Sequence, residues 1–130
     1  YVAPSELEAR LKAACPYIAQ VLVHGDRRNY VTALVTLDPE GIARWGATQG
    51  IAELTPARAA EHLAVRAMVQ RAVDELNATL PRFATVKKFT VLPREFTEAA
   101  GEVTPSQKLK RKVVEQRHRA ALDAMYPGGS

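Results

Sequence analysis

Residues 17–37 constrain the fold more than any other stretch. Tyr17 to His24 reads as a strand whose apolar content is Ile18, Val21, Leu22 and Val23. Gly25-Asp26-Arg27-Arg28-Asn29 follows, a run rich in residues that tolerate unusual backbone angles. Tyr30 to Leu37 returns as a second strand, in which Val31, Ala33, Val35 and Leu37 alternate with Tyr30, Thr32, Leu34 and Thr36. Two strands around a five-residue turn form an antiparallel hairpin. Both strands are apolar on both faces, so the hairpin needs cover on each side.

The rest of the chain supplies that cover. Pro4-Ser5-Glu6 opens a helix with Leu7, Leu11 and Ala14 on one face, ended by Cys15-Pro16. Pro39 to Thr48 reads as a short helix with Asp38 as N-cap. Gly50 breaks it, and Thr55-Pro56 starts a long helical segment to Leu80. Val65, Val69, Ala72, Val73, Leu76 and Leu80 form its stripe, and a break is expected near His62. Val86 to Leu92 is a third strand. Residues 94–107 are polar and contain Gly101 and Pro105, which predicts a surface loop. A final helix is expected from about Leu109 to Met125, buried through Val113, Val114, Ala121, Leu122 and Met125. On it, Arg111, Glu115 and Arg119 are spaced for ion pairs four residues apart. The predicted class is α+β: a small three-stranded sheet with an antiparallel hairpin, flanked by helices, in one domain over residues 1–130.

A chain of 130 residues that is 47% apolar can bury a core. No apolar run approaches the roughly 18 residues of a membrane span. The start turns polar by the sixth residue, which argues against a signal peptide. The first residue is Tyr1 rather than Met, as in a piece cut from something longer. The single cysteine, Cys15, excludes an internal disulfide, fits a cytoplasmic location and reads as a small apolar residue. The Pro-Gly-Gly-Ser end, residues 127–130, reads as a frayed terminus.

Most familiar chemistry is missing from the pattern. There is no glycine-rich phosphate loop and no serine nucleophile elbow. His24, His62 and His118 are far apart and lack neighbours at ligand spacing, so no metal site is expected. His118 reads as a surface or packing histidine, and Trp45 and the tyrosines as core or edge residues. Arg27 and Arg28 read as a solvated turn.

Charge singles out one stretch. From Thr104 onward the chain has six Lys or Arg against two acids, whereas residues 1–103 carry twelve of each sign. The net charge of +4 therefore sits in Thr104-Pro105-Ser106-Gln107-Lys108-Leu109-Lys110-Arg111-Lys112 and the helix after it. The stretch reads as an exposed loop running into a helix, with Leu109 as the helix anchor. Such a cationic loop suggests an anionic partner. A lysine on it could neutralise charge developing on a phosphate. Spacing alone does not separate Lys108 from Lys110, Arg111 and Lys112. A nucleic-acid-binding module is a competing reading, though no stacking set of aromatics or binding motif accompanies the charge.

Three segments together resemble a known family. Tyr1-Val2-Ala3-Pro4-Ser5-Glu6-Leu7-Glu8 resembles the segment that follows the hinge in adenylate-forming enzymes. Val86 to Leu92 resembles their later strand, and Phe96 to Lys112 their terminal lysine motif. Order and spacing are similar to the small C-terminal domain of acyl-CoA synthetases, in particular the bacterial long-chain fatty-acid type. The resemblance implies two steps: fatty acid and ATP, with Mg2+, give acyl-adenylate and pyrophosphate, and coenzyme A then displaces AMP. It implies a large N-terminal domain, absent from this sequence, that binds ATP and the acyl chain. It makes the present chain a mobile lid, inactive alone, that helps form the coenzyme A site after rotating. Within the motif, Lys108 matches the catalytic lysine that contacts carboxylate and α-phosphate during adenylation, and also a target of lysine acetyltransferases and deacetylases. Nucleic acid is then not expected as a partner, and peripheral membrane association of the full-length enzyme is compatible. A fatty-acyl-AMP ligase or an aryl-CoA ligase would share the lysine. Many relatives have glycine before that lysine, where this chain has Gln107.

Overall fold

The computed structural model describes residues 2–129; Tyr1 and Ser130, the outermost residues of the opening motif and of the tail, lie outside the described residues. Helix α1 (Pro4–Ala14) places proline in its first turn, where a missing N–H costs nothing. It buries Leu7 and Leu11 against the sheet. Cys15 is extended and ends the helix, as a residue before proline should. Strands β1 (Ile18–His24) and β2 (Val31–Leu37) then pair antiparallel, with Leu22 opposite Leu34 and Val23 opposite Ala33.

Asp38 caps α2 (Pro39–Thr48), its carboxylate accepting the Gly41 N–H at 2.7 Å. Thr55 caps α3 (Pro56–Ala59) in the same way through Arg58 N–H. The expected break falls at His62, whose Nδ1 accepts from Ala64 N–H at the start of α4 (Leu63–Asn77). Strand β3 (Val86–Val91) lies beside β2 and runs parallel to it, so α2 to α4 form the crossover. The order β1-β2-β3 places β2 in the middle, where it is buried from Thr32 to Leu37.

The expected cover on both faces is present. Val21, Val23, Ala33 and Val35 point to one side, where α1 and α4 bring Leu7, Leu11, Val65, Val69 and Val73. Leu22 and Leu34 point to the other, where Phe96, Val103, Val114, Leu122, Met125 and Tyr126 meet them. Burying a side chain of this size stabilises by roughly 1.5–3 kcal/mol, so the alternation fixes the strand register on both faces.

Two expectations about the last third of the chain are corrected. Residues 94–107 are not a surface loop throughout: Phe96, Glu102 and Val103 are buried, and the first and last of these belong to the second core. The helix expected over 109–125 is two helices, α5 (Arg111–Arg117) and α6 (Arg119–Ala124), broken at His118. Leu109 precedes them in an isolated antiparallel bridge with Val103. A loop that must cross the second face needs apolar residues to do so, and Phe96 and Val103 supply them.

Cys15 is buried, and burial pushes its thiol pKa up, which fits an apolar packing role. Arg28 is not solvated, as its turn position suggested: it pairs with Asp123 and lies 4.4 Å over the Tyr126 ring. Arg27, in the same turn, is exposed with φ 61°.

Candidate functional site

Lys108 sits near the tip of a small hairpin spanning residues 102–110. Two backbone hydrogen bonds and the Val103–Leu109 bridge close it: Lys110 N–H to Glu102 C=O and Thr104 N–H to Lys108 C=O, each 2.9 Å. At the tip, Gln107 N–H donates to Thr104 C=O at 2.8 Å. Thr104 Oγ1 accepts the Lys108 N–H at 3.0 Å and also meets Ser106 Oγ at 3.1 Å. Thr104 thus holds both polar backbone groups of Lys108. Thr104 and Ser106 thus form the turn and tie it to the lysine.

Closing a three-residue turn in this way requires a left-handed residue at its end. Gln107 occupies that position with φ 68°. A left-handed backbone strains any residue with a Cβ by roughly 1–2 kcal/mol, so glycine would sit there without that cost. Here the turn hydrogen bonds hold Gln107 in that conformation. The tip is therefore shaped rather than slack. The Lys108 side chain is exposed and joins no ion pair among the described residues.

The base of the hairpin is built differently. Glu102 is 0% exposed, and its carboxylate meets four other residues. Its Oε1 accepts from Arg94 at 2.8 Å and from Thr97 N–H at 3.1 Å. Its Oε2 accepts from Arg94 at 3.3 Å and from His118 Nε2 at 2.8 Å, and Arg117 Nε lies 3.7 Å away. Burial would push the Glu102 carboxyl up; the hydrogen bonds from Arg94, His118 and Thr97 N–H outweigh it and hold the carboxyl at about 2, against an ordinary 4.5. An ionised carboxylate only accepts, so His118 Nε2 carries the proton. Sequence reading missed this cluster. Glu102 looked like one more polar residue in a loop, and the residues around it are separated in sequence by 5 to 16 positions. The one available signal was Phe96 and Val103, apolar residues too large to leave exposed.

A second cluster ties α5 to the sheet and corrects the expected Arg111–Glu115–Arg119 ladder. Arg111 instead forks onto the Glu8 carboxylate at 2.8 and 2.9 Å and donates to Val23 C=O at 3.0 Å. The Glu8 hydrogen bond raises the Arg111 pKa. Glu115 binds His24 Nδ1 at 2.7 Å. His24 is buried and its Nε2 has no partner among the described residues; with the proton on Nδ1, that atom is a lone pair, not a stranded N–H. Partly buried, two-pronged pairs outcompete exposed pairs along one helix, which are worth only a few tenths of a kcal/mol.

Of the four cations that spacing left equivalent, then, Arg111 is committed to the fold. Lys110 and Lys112 are exposed at the start of α5. Lys108 alone among them stands on the hairpin tip. Beside it, Gln107 and Leu109 line an open cavity of ≈ 310 Å³ together with Glu8, Lys12, Gln20 and Val21. Among the described residues, no three His, Cys, Asp or Glu side chains lie together as a metal site, and no helix is long and apolar enough to cross a membrane.

The chain is similar to known proteins. Long-chain-fatty-acid–CoA ligase FadD15 of Mycobacterium tuberculosis is 36% identical over 133 residues, covering 96% of this chain and 21% of the relative. The peroxisomal long chain acyl-CoA synthetase 7 of Arabidopsis thaliana is 32% identical, covering 97% and 18%. The chain thus spans about a fifth of the length of these relatives. Among solved structures, the A-PCP didomain of the carboxylic acid reductase from Segniliparus rugosus, in complex with AMP, superimposes with a TM-score of 0.71 over 95% of this chain and 16% of that one, at 24% identity. The fold is therefore that of an adenylate-forming enzyme's small domain. A family model described as the AMP-binding enzyme C-terminal domain matches residues 1–129. The chain belongs to the family of AMP-binding enzyme C-terminal domains.

Proposed function

We propose that this chain works as the C-terminal lid of a long-chain fatty acid–CoA ligase, with Lys108 as the cation for the adenylation step. The observation that carries this reading is the hairpin: it holds the Lys108 backbone from both sides and leaves the side chain exposed and in no ion pair among the described residues. The names of the relatives above favour long-chain substrates.

The chemistry asks for such a group. A fatty-acid carboxylate attacks the α-phosphorus of ATP, forming a C–O–P bond and releasing pyrophosphate. Two anions meet in that step, and a fixed ammonium lowers their repulsion without transferring a proton. In the second step the thiol of coenzyme A attacks the acyl carbon of the adenylate and AMP leaves. No second anion approaches the acyl carbon there, so the cation is dispensable and the domain can rotate away. ATP, the fatty acid and coenzyme A would be bound mainly by the remainder of a full-length protein, the N-terminal domain. The residues described here do not form a site for the accompanying Mg2+, so no step is assigned to it in this domain. The isolated chain would be inactive. The buried, unpaired Cys15 suits a reducing compartment such as the cytoplasm.

Full-length protein carrying Lys108→Ala should lose adenylation and retain thioester formation from supplied acyl-adenylate. Equal loss of both half-reactions would contradict the assignment. Acetylation of Lys108 removes the same charge and should silence the first step in the same way.

A further inference from the structure

The cluster at the base of the hairpin takes no direct part in either half-reaction. Glu102 is fully buried among four polar partners, yet it belongs to the same short hairpin as Lys108. Its backbone is fixed on both sides: Glu102 N–H donates to Thr97 C=O at 3.0 Å, and Glu102 C=O accepts from Lys110 N–H at 2.9 Å. Its carboxylate gathers Arg94 from the segment after β3, and Arg117 and His118 from the junction of α5 and α6. The Phe96 ring packs edge-on against His118, which locks the imidazole in place. The hairpin is thereby tied through one side chain to two separate parts of the domain, the segment after β3 and the junction of α5 and α6.

We infer that Glu102 is a positioning residue for adenylation: it fixes the base of the 102–110 hairpin so that Lys108 reaches a foreign active site in one defined place. The inference rests on the reading of Lys108 as the adenylation cation. Lys108 is exposed and its ammonium joins no ion pair among the described residues, so its placement comes from the backbone beneath it. A cation that stabilises a transition state loses most of its effect when displaced by about an ångström, a misplacement that can cost 10- to 100-fold in rate. The Val103–Leu109 bridge sits between Glu102 and the Thr104–Lys108 turn, so a shift at the base carries directly to the tip.

The test uses the full-length enzyme with four variants: Glu102→Gln, Glu102→Asp, Arg94→Gln and Lys108→Ala. Adenylation is followed by fatty-acid-dependent pyrophosphate exchange, and thioesterification from supplied acyl-adenylate. Glu102→Gln keeps the side chain's shape and an acceptor for Thr97 N–H but removes the charge that gathers Arg94, Arg117 and His118. It should lower the adenylation kcat by about 10-fold or more, with KM for ATP and fatty acid and the thioesterification rate within about threefold of the parent. Glu102→Asp, which keeps the charge, should recover part of that loss. Arg94→Gln, which removes one partner and leaves Glu102 itself intact, should reproduce a smaller loss in the same half-reaction. Parallel loss of both half-reactions in Glu102→Gln and Arg94→Gln, or no loss of either, would overturn the inference. If Lys108→Ala abolishes adenylation while Glu102→Gln does not, only the positioning role fails. If Lys108→Ala leaves adenylation intact, the lysine reading fails first and Glu102 falls with it.

Discussion

The base and the tip of one nine-residue hairpin follow opposite physical rules. At the base, Glu102 is fully buried, ionised and surrounded by partners. At the tip, Lys108 is exposed and unpaired among the described residues, and the residue before it is held at φ 68°. The base gains from completeness, because a buried charge missing any partner is costly. The tip gains from incompleteness, because a cation already paired within its own domain could not serve another site. Under the proposed role of Lys108, stability and reactivity sit about six residues apart, at opposite ends of one closed turn.

The largest expected effect breaks the base. Glu102→Ala leaves Arg94, Arg117 and His118 without their shared anion, and urea unfolding of the 130-residue chain should show a loss of about 3 kcal/mol or more. A loss below about 1 kcal/mol would mean that the cluster is ornamental.

Acid should do the same gradually. The folded-state carboxyl titrates near 2, below its ordinary 4.5. A depressed carboxylate contributes stability that is complete above the unfolded value and is lost as pH falls toward the folded one. Up to about 3 kcal/mol should therefore disappear between pH 4.5 and 2. Glu102→Gln should flatten that part of the profile, measured by thermal unfolding across pH. An unchanged slope would assign the acid sensitivity to other groups.

Smaller effects belong to the tip. Thr104→Val removes the acceptor of the Lys108 N–H in a solvated turn, with a cost near 1 kcal/mol. Gln107→Gly relieves the left-handed strain but adds freedom to the unfolded chain; a net gain within about 1 kcal/mol is expected. Lys108→Ala should change stability by no more than about 0.5 kcal/mol, since the exposed ammonium joins no ion pair within the described residues. A marked destabilisation there would erase the contrast between the two ends.

Legibility in the sequence divides along similar lines. The hairpin 17–37, the Asp38 and Thr55 caps, the break at His62 and the two-sided core were readable because each depends on local pattern. The parallel placement of β3 beside β2 was not specified, because strand direction is set by the length and path of the crossover, not by strand residues. Lys108 was singled out only through resemblance; its local chemistry matched that of its neighbours. The Glu102 cluster was invisible because it is assembled from Arg94, Thr97, Arg117 and His118, whose spacing has no helical or strand period. Arg111 and Glu115 illustrate the same limit: a sound local rule predicted their pairing, and the buried Glu8 and His24 offered better partners.

The central claim is that the tip supplies charge to an adenylation site outside this domain. It is tested most directly by fatty-acid-dependent pyrophosphate exchange in full-length enzyme carrying Lys108→Ala. Exchange should fall by about 100-fold or more, while the melting temperature of the variant stays with that of the parent. Exchange within about threefold of the parent, in a folded variant, would contradict it.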